Sequence, residues 1–134
     1  MDLGLTGKKA LVTGSTKGIG RAIAETLLDE GATVAICARN ADEVETAVSE
    51  LEAKGHVYGS AVDAEDLKSL EAWISSASTA LGGIDIYIHN SSAKPQKQLE
   101  DWSKNFNVDL SFGCGRNVSC CPRFSEGQIR LRRF

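Results

Sequence analysis

Eight residues, Thr13-Gly14-Ser15-Thr16-Lys17-Gly18-Ile19-Gly20, lie between the apolar triplet Ala10-Leu11-Val12 and an amphipathic stretch that begins at residue 18. A strand that turns into a helix through such a run presents the helix's unpartnered N–H groups and the positive end of its dipole at the turn, where an anion is favoured. Gly14 can take the tight turn, Gly18 lets the backbone come close to a pyrophosphate, and Gly20 lets the helix pack on its strand. The hydroxyls of Ser15 and Thr16 donate to phosphate oxygens or stabilise the turn. A glycine triplet alone is a weak signal, because plain strand-to-helix turns also collect glycines, so the flanking sequence has to decide.

The flanks alternate between two periods. Leu5 to Thr13 reads as a strand, and Gly18 to Glu30 as a helix with Ile19, Ile23 and Leu27 on one face, closed by Gly31 at its C-terminus. Thr33 to Cys37 is a second strand. Asn40 and Glu43 have the spacing of a capping box for a helix that carries Val44, Ala47, Val48 and Leu51 and stops at Gly55. His56 to Val62 is a third strand, and Asp66 to Leu81 a helix with Leu67, Leu70, Trp73, Ala77 and Leu81 on its stripe. Gly82-Gly83 ends it, and Ile84 to Ile88 is a fourth strand. Short loops between alternating strands and helices predict parallel pairing through right-handed crossovers. Continuous apolar strands such as Leu11-Val12 and Ile84 to Ile88 suit a sheet covered on both faces. The expected fold is α/β, a Rossmann-like doubly wound parallel sheet of about four strands in the order 3-2-1-4.

Here the residues resemble a family. Thr-Gly-x-x-x-Gly-x-Gly over Thr13 to Gly20 is similar to the cofactor fingerprint of the short-chain dehydrogenases/reductases. Asp63, past the third strand, resembles the family's adenine-contacting aspartate, and Asp85-Ile86-Tyr87-Ile88-His89-Asn90-Ser91-Ser92 resembles its fourth strand ending in Asn-Asn-Ala-Gly. Asp101-Trp102 and Asn107-Val108-Asp109-Leu110 are similar to the stretch that opens the next helix. The resemblance covers about Leu5 to Ser111, so residues 1–111 are expected to be an incomplete cofactor-binding domain. It implies hydride transfer between a nicotinamide cofactor and a carbonyl or alcohol carbon, with a small-molecule substrate and, usually in the family, a homo-oligomer.

Within that frame the cofactor residues are Gly14, Ser15, Lys17, Gly18, Ile19, Gly20, Arg39, Asp63 and Asn90. An acid at the end of the second strand of a Rossmann unit holds a ribose 2′-OH, whereas arginine there pairs with a 2′-phosphate. Ala38-Arg39 puts a base in that place and Lys17 projects toward it from the glycine loop, so NADP(H) is expected in preference to NAD(H). Taken singly, Lys17 and Arg39 read as solvated surface residues. Asp63 can serve as the N-cap of the following helix or as the adenine contact. Asn90 reads as a strand-end residue bridging backbone groups or as a ribose neighbour. His89 reads as a hydrogen-bonded structural residue for which the sequence shows no partner.

The departures are as specific as the matches. His89 replaces the first Asn of the fourth-strand motif, Ser91-Ser92 replaces Ala-Gly, and Asp109 stands where the family has an asparagine whose amide can donate. The family's catalytic Ser and Tyr-x-x-x-Lys are expected beyond residue 134, since neither Tyr58 nor Tyr87 has a lysine four residues later. No catalytic residue is therefore assigned. This chain alone is expected to be inactive, and a non-catalytic dinucleotide-binding fragment or pseudo-enzyme is the alternative reading. A methyltransferase is disfavoured, because Arg39 stands where that cofactor's ribose would prefer a carboxylate.

From Phe112 the character changes. Up to Ser111 there are ten Lys or Arg against seventeen Asp or Glu; after it there are five Arg, one acid and three of the four cysteines. Gly113, Gly115 and Pro122 interrupt the helix that Val108-Asp109-Leu110 should begin. Residues 112–134 read as a solvated basic tail or an anion-binding arm, and the abruptness of the change predicts an out-of-frame translation. In that case the TGC or TGT codons of Cys114, Cys120 and Cys121 would give alanine or valine in the frame shifted by one base.

Composition restricts the rest. A chain of 134 residues with 42% hydrophobic residues is at most one domain. A net charge of −3 argues against general nucleic-acid affinity. No stretch is apolar enough to span a bilayer, no secretory leader opens the chain, and the Cys and His spacings do not suit zinc, so no membrane or metal role and a reducing cytoplasm are expected. Cys37, alone on its strand, is expected to be a buried core residue.

Overall fold

The computed structural model describes residues 3–91. The motifs at Asp101-Trp102 and Asn107 to Leu110, Cys114, Cys120 and Cys121, and the 112–134 tail lie outside the described residues. Within them the chain runs β1 (Lys9–Thr13), α1 (Gly18–Asp29), β2 (Thr33–Ala38), α2 (Ala41–Leu51), β3 (Val57–Ala61), α3 (Leu67–Leu81) and β4 (Ile86–Ile88). The four strands form one parallel sheet in the order β3-β2-β1-β4, the order expected for a Rossmann-like sheet.

Because strand side chains alternate between faces, each inner strand contributes to two cores. Ala10 and Val12 of β1 join Val34 and Ile36 of β2 under α1 and α2, with Ala24, Leu27, Leu28, Ala47 and Leu51. Leu11, Ala35 and Cys37 point the other way, into a core with Leu70, Trp73, Ile74, Ala77 and Leu81 of α3. This two-sided burial is why β1 and β2 read as continuous apolar runs.

Strand ends are shorter than the sequence suggests. Residues 5–8 turn instead of pairing, with Lys8 N–H donating to Leu5 O at 2.9 Å and Gly7 N–H to Gly31 O at 2.9 Å. Ile84 is buried but precedes the ladder, because Asp85 clamps the start of β1: its N–H donates to Lys9 O at 2.8 Å and its carboxylate accepts from Lys9 N–H at 3.0 Å. Helix ends follow the sequence more closely. Past α1, Gly31 (φ +83°) and Ala32 donate to Leu28 O and Leu27 O, and Gly82 (φ +74°) closes α3. α2 ends at Leu51, before Gly55.

Two packing expectations fail. Ile19, expected on the buried stripe of α1, is 74% exposed. The small residues Gly20 and Ala24 let that helix sit close to the sheet, so its buried stripe is Gly20, Ala24, Leu27 and Leu28. In α3 Leu67 is only partly buried, since it is the first helical residue, and Ile74 completes the stripe.

Candidate functional site

The loop from β1 to α1 is built by glycine conformation and inward-facing hydroxyls. Gly14 and Gly18 both have φ +60°, a region strained for side chains with a Cβ. Gly14 N–H donates to Cys37 O at 2.9 Å, so the turn stays tied to β2. Ser15 is fully buried and donates its Oγ proton to Val12 O at 2.9 Å, stabilising the turn from inside. Lys17 is the N-cap of α1, in extended conformation, and supplies no side-chain cap to the first-turn N–H groups. A Cβ at Gly18 would meet only open space, so the backbone there is approachable by a ligand.

The end of β4 locks onto this loop. Thr13 Oγ1, fully buried, accepts N–H bonds from Asn90 at 3.0 Å and Ser91 at 3.1 Å. The Asn90 Nδ2 amide donates to Gly14 O at 2.9 Å. Gly20 passes against this junction so closely that a Cβ would collide with the Gly14 carbonyl and the Asn90 side chain. His89, for which the sequence showed no partner, has its Nδ1 3.4 Å from Thr13 Oγ1 and 3.3 Å from Tyr87 Oη, and its ring stacks with that tyrosine at a centroid distance of 6.4 Å. With two N–H groups already directed at Thr13 Oγ1, its own hydroxyl proton is suited to His89 Nδ1. His89 is therefore part of the clamp around the loop, the structural role expected of it.

In front of the loop lies an open cleft of about 320 Å³. Gly14, Lys17, Arg39, Asp63 and Asn90 all line it, although they come from four separate turns. Ser15 of the loop and Gly18, Ile19 and Gly20 of the first turn of α1 do not line the cleft. Thr16, whose hydroxyl the sequence offers to a phosphate or to the turn, lines it too, as do Glu43, Val62 and Glu65, which the sequence does not mark as site residues. Glu43 is the most consequential of these. Its carboxylate takes the Lys17 ammonium at 2.7 Å and the Thr16 hydroxyl at 3.5 Å, and the lysine hydrogen bond holds its carboxyl below the usual range. The expected capping box is thus only half formed: Asn40 accepts from Asp42 and Glu43 N–H, while the carboxylate of Glu43 goes to the neighbouring loop.

Asp63 is not the N-cap of the following helix. It closes a turn instead, accepting from Glu65 N–H at 2.9 Å. Asp66 caps α3 by accepting from Lys68 N–H at 3.1 Å, and the Ser69 hydroxyl bound to its carboxylate lowers its pKa. Asp63 is thereby left at the rim of the cleft. On the far side of the sheet Cys37 is buried, as expected, and burial pushes its thiol up to about 12. Among the described residues there is no cluster of metal-ligating side chains, and no helix is long and apolar enough to cross a membrane.

Comparison with known proteins settles the lineage. The family model for the short chain dehydrogenases matches residues 8–112. The chain belongs to the short-chain dehydrogenase family. It is 36% identical over 115 residues to the uncharacterized oxidoreductase YvrD of Bacillus subtilis, covering 82% of this chain and 43% of that protein. L-sorbose reductase from Gluconobacter frateurii, solved with NADPH and L-sorbose, superposes with a TM-score of 0.76 at 32% identity, over 82% of this chain and 44% of its own. A short-chain dehydrogenase of Burkholderia cenocepacia J2315 in complex with NADP superposes with a TM-score of 0.73 at 32% identity, over 79% of this chain and 46% of its own. The short-chain dehydrogenase chain described here spans less than half the length of these relatives.

Proposed function

We propose that this chain is the NADP(H)-binding part of an oxidoreductase that transfers hydride between the cofactor and the carbonyl or alcohol carbon of a small molecule. One observation carries the NADP(H) reading: Lys17 and Arg39 line a single cleft with Gly14, and Ala38-Arg39 stands where an acid would hold a ribose 2′-OH. The residues fit such a cofactor. Gly18 leaves the α1 N-terminus open to a pyrophosphate, Gly14 and Gly20 let three backbone segments meet closely, and Asp63 with Val62 lies at the adenine end. Ser15 acts by shaping the loop from inside, Ile19 through its place in the first turn of α1, and Asn90 holds the loop beside the ribose. The cofactor supplies the hydride; these residues bind and orient it. The NADPH and NADP bound in the Gluconobacter and Burkholderia proteins support the assignment.

The experiment is a titration of NADPH and NADH into the wild type and Arg39→Ala. The variant should lose about 1.5–3 kcal/mol of NADPH binding, the range for a hydrogen bond to a charged group, with NADH unchanged. Equal NADPH affinity in both proteins would remove Arg39 from the site.

A second reading concerns catalysis. The only tyrosines, Tyr58 and Tyr87, lie in β3 and β4 and are followed four residues later by Val62 and Ser91, not lysine. We therefore propose that the 134 residues bind the dinucleotide without transferring hydride, acting as a non-catalytic fragment unless the missing acid is supplied. Turnover of a generic carbonyl compound with NADPH would overturn this. Residues 1–111 form the proposed binding unit, in a cytoplasmic protein whose family relatives are usually homo-oligomers, and 112–134 is the proposed out-of-frame segment. Source DNA whose shifted frame lacks a Ser followed about a dozen residues later by Tyr-x-x-x-Lys would overturn the frame proposal; that spacing is what the family resemblance implies.

A further inference from the structure

Glu43 occupies the third position of α2, where a carboxylate ordinarily folds back on the N-cap N–H. Here the Asn40 side chain meets the Asp42 and Glu43 N–H groups, and the Glu43 carboxylate reaches across to Lys17 at 2.7 Å and Thr16 at 3.5 Å. It lines the same cleft as Arg39. The charged side chains on that cleft are Lys17 and Arg39 against Glu43, Asp63 and Glu65, so the lining is not an uncompensated basic pocket.

We infer that Glu43 is a specificity-determining residue that weakens the preference for a 2′-phosphorylated nucleotide by holding the Lys17 ammonium. The inference rests on the NADP(H) reading above and assigns a residue that opposes it. A phosphate arriving at Lys17 and Arg39 must share the ammonium with the Glu43 carboxylate or draw it away. The side chain of Lys17 is 75% exposed and that of Glu43 36%, so the pair is water-screened and weak enough to be drawn apart. Glu43 therefore moderates the phosphate subsite without closing it. An unphosphorylated ribose has no dianion to compete for the lysine, and its binding is insensitive to the pair.

The test uses two probes that report on this end of the cofactor alone, 2′,5′-ADP and 5′-AMP, titrated calorimetrically into the full chain at fixed ionic strength. Glu43→Gln keeps the side chain's shape and removes its charge. It should tighten 2′,5′-ADP about three- to fivefold, the scale of one exposed ion pair, and leave 5′-AMP unchanged. In a Lys17→Ala background the same substitution should change 2′,5′-ADP affinity by less than twofold. Glu43→Ala, checked by far-UV circular dichroism, should shift affinity in the same direction if Glu43→Gln folds poorly. Unchanged or weaker 2′,5′-ADP binding in both Glu43 variants, or an equal gain with and without Lys17, overturns the inference. If neither Lys17→Ala nor Arg39→Ala alters 2′,5′-ADP binding, the NADP(H) reading fails and the inference falls with it.

Discussion

The Asn90 side-chain amide donates to the Gly14 carbonyl at 2.9 Å, joining the last described turn of the sheet to the first. With Thr13 Oγ1 accepting from the Asn90 and Ser91 N–H groups, two side chains position both walls of the cleft. Asn90→Ala should lower stability by about 1 kcal/mol, the net value of one such hydrogen bond. Asn90→Asp should lower it more, because a carboxylate would face the carbonyl it replaces a donor to. Urea midpoints of the three proteins check the order.

Gly18 and Gly20 are expected to respond to alanine for different reasons. At Gly18 the penalty is backbone strain at φ +60° in open space, about 1–2 kcal/mol. At Gly20 a methyl group collides with the Gly14 carbonyl and the Asn90 amide, which forces the loop and α1 apart. Gly20→Ala should abolish nucleotide binding and lower the melting temperature further than Gly18→Ala does. Differential scanning fluorimetry with and without NADPH separates the two.

Burial raises the Cys37 thiol from 9.0 to about 12. The unfolded chain loses this proton first, so the contribution is fully present below pH 9 and declines as pH rises from 9 towards 12. Cys37→Ala should show a shallower alkaline loss of stability than the wild type in denaturant midpoints. With Cys114, Cys120 and Cys121 replaced by serine, Ellman's reagent should react with the native protein at pH 8 only after denaturant is added.

The acid limb runs the opposite way. Asp66 has its carboxyl lowered from 3.8, chiefly by the Ser69 hydroxyl, so its contribution is present above that value and is lost as pH falls through the lowered one. Asp66→Asn retains a good N-cap while removing the titration. It should have a flatter stability profile below pH 4 than the wild type, measured by circular dichroism in urea.

Much of this was legible because it depends on local pattern. Leu11-Val12 reads as part of a covered strand, Thr33 to Cys37 as a strand, and Gly31 and Gly82 as helix ends, since these signals lie within a few residues of the feature they specify, whereas Ile86 to Ile88, expected to be covered on both faces, are only half-buried. Lys17 and Arg39 could be brought to one place from the Rossmann unit's glycine loop and second-strand end, and both line the cleft. The role of Glu43 was hidden because its two partner options are local and distant: a capping box three residues back, or a lysine 26 residues earlier in the chain. Sequence spacing favours the first, and the proximity of two turns across the sheet decides for the second. Ile19 misled for a related reason. Its periodicity with Ile23 and Leu27 is real, but the small residues Gly20 and Ala24 rotate the contact face by one position.

The latch at Asn90 also sets a timetable. Its bonds to Gly14 and Thr13 span 76 and 77 residues, whereas β1 can pair with β2 as soon as α1 has formed between them. Contacts of such sequence separation form late, because the loop must close before they are rewarded. On the ribosome, the glycine loop emerges with Thr13 and Ser15, which shape it from inside, but without Asn90, which latches it. Until Asn90 has left the exit tunnel, the nascent chain carries the fingerprint of a nucleotide site but not the site itself.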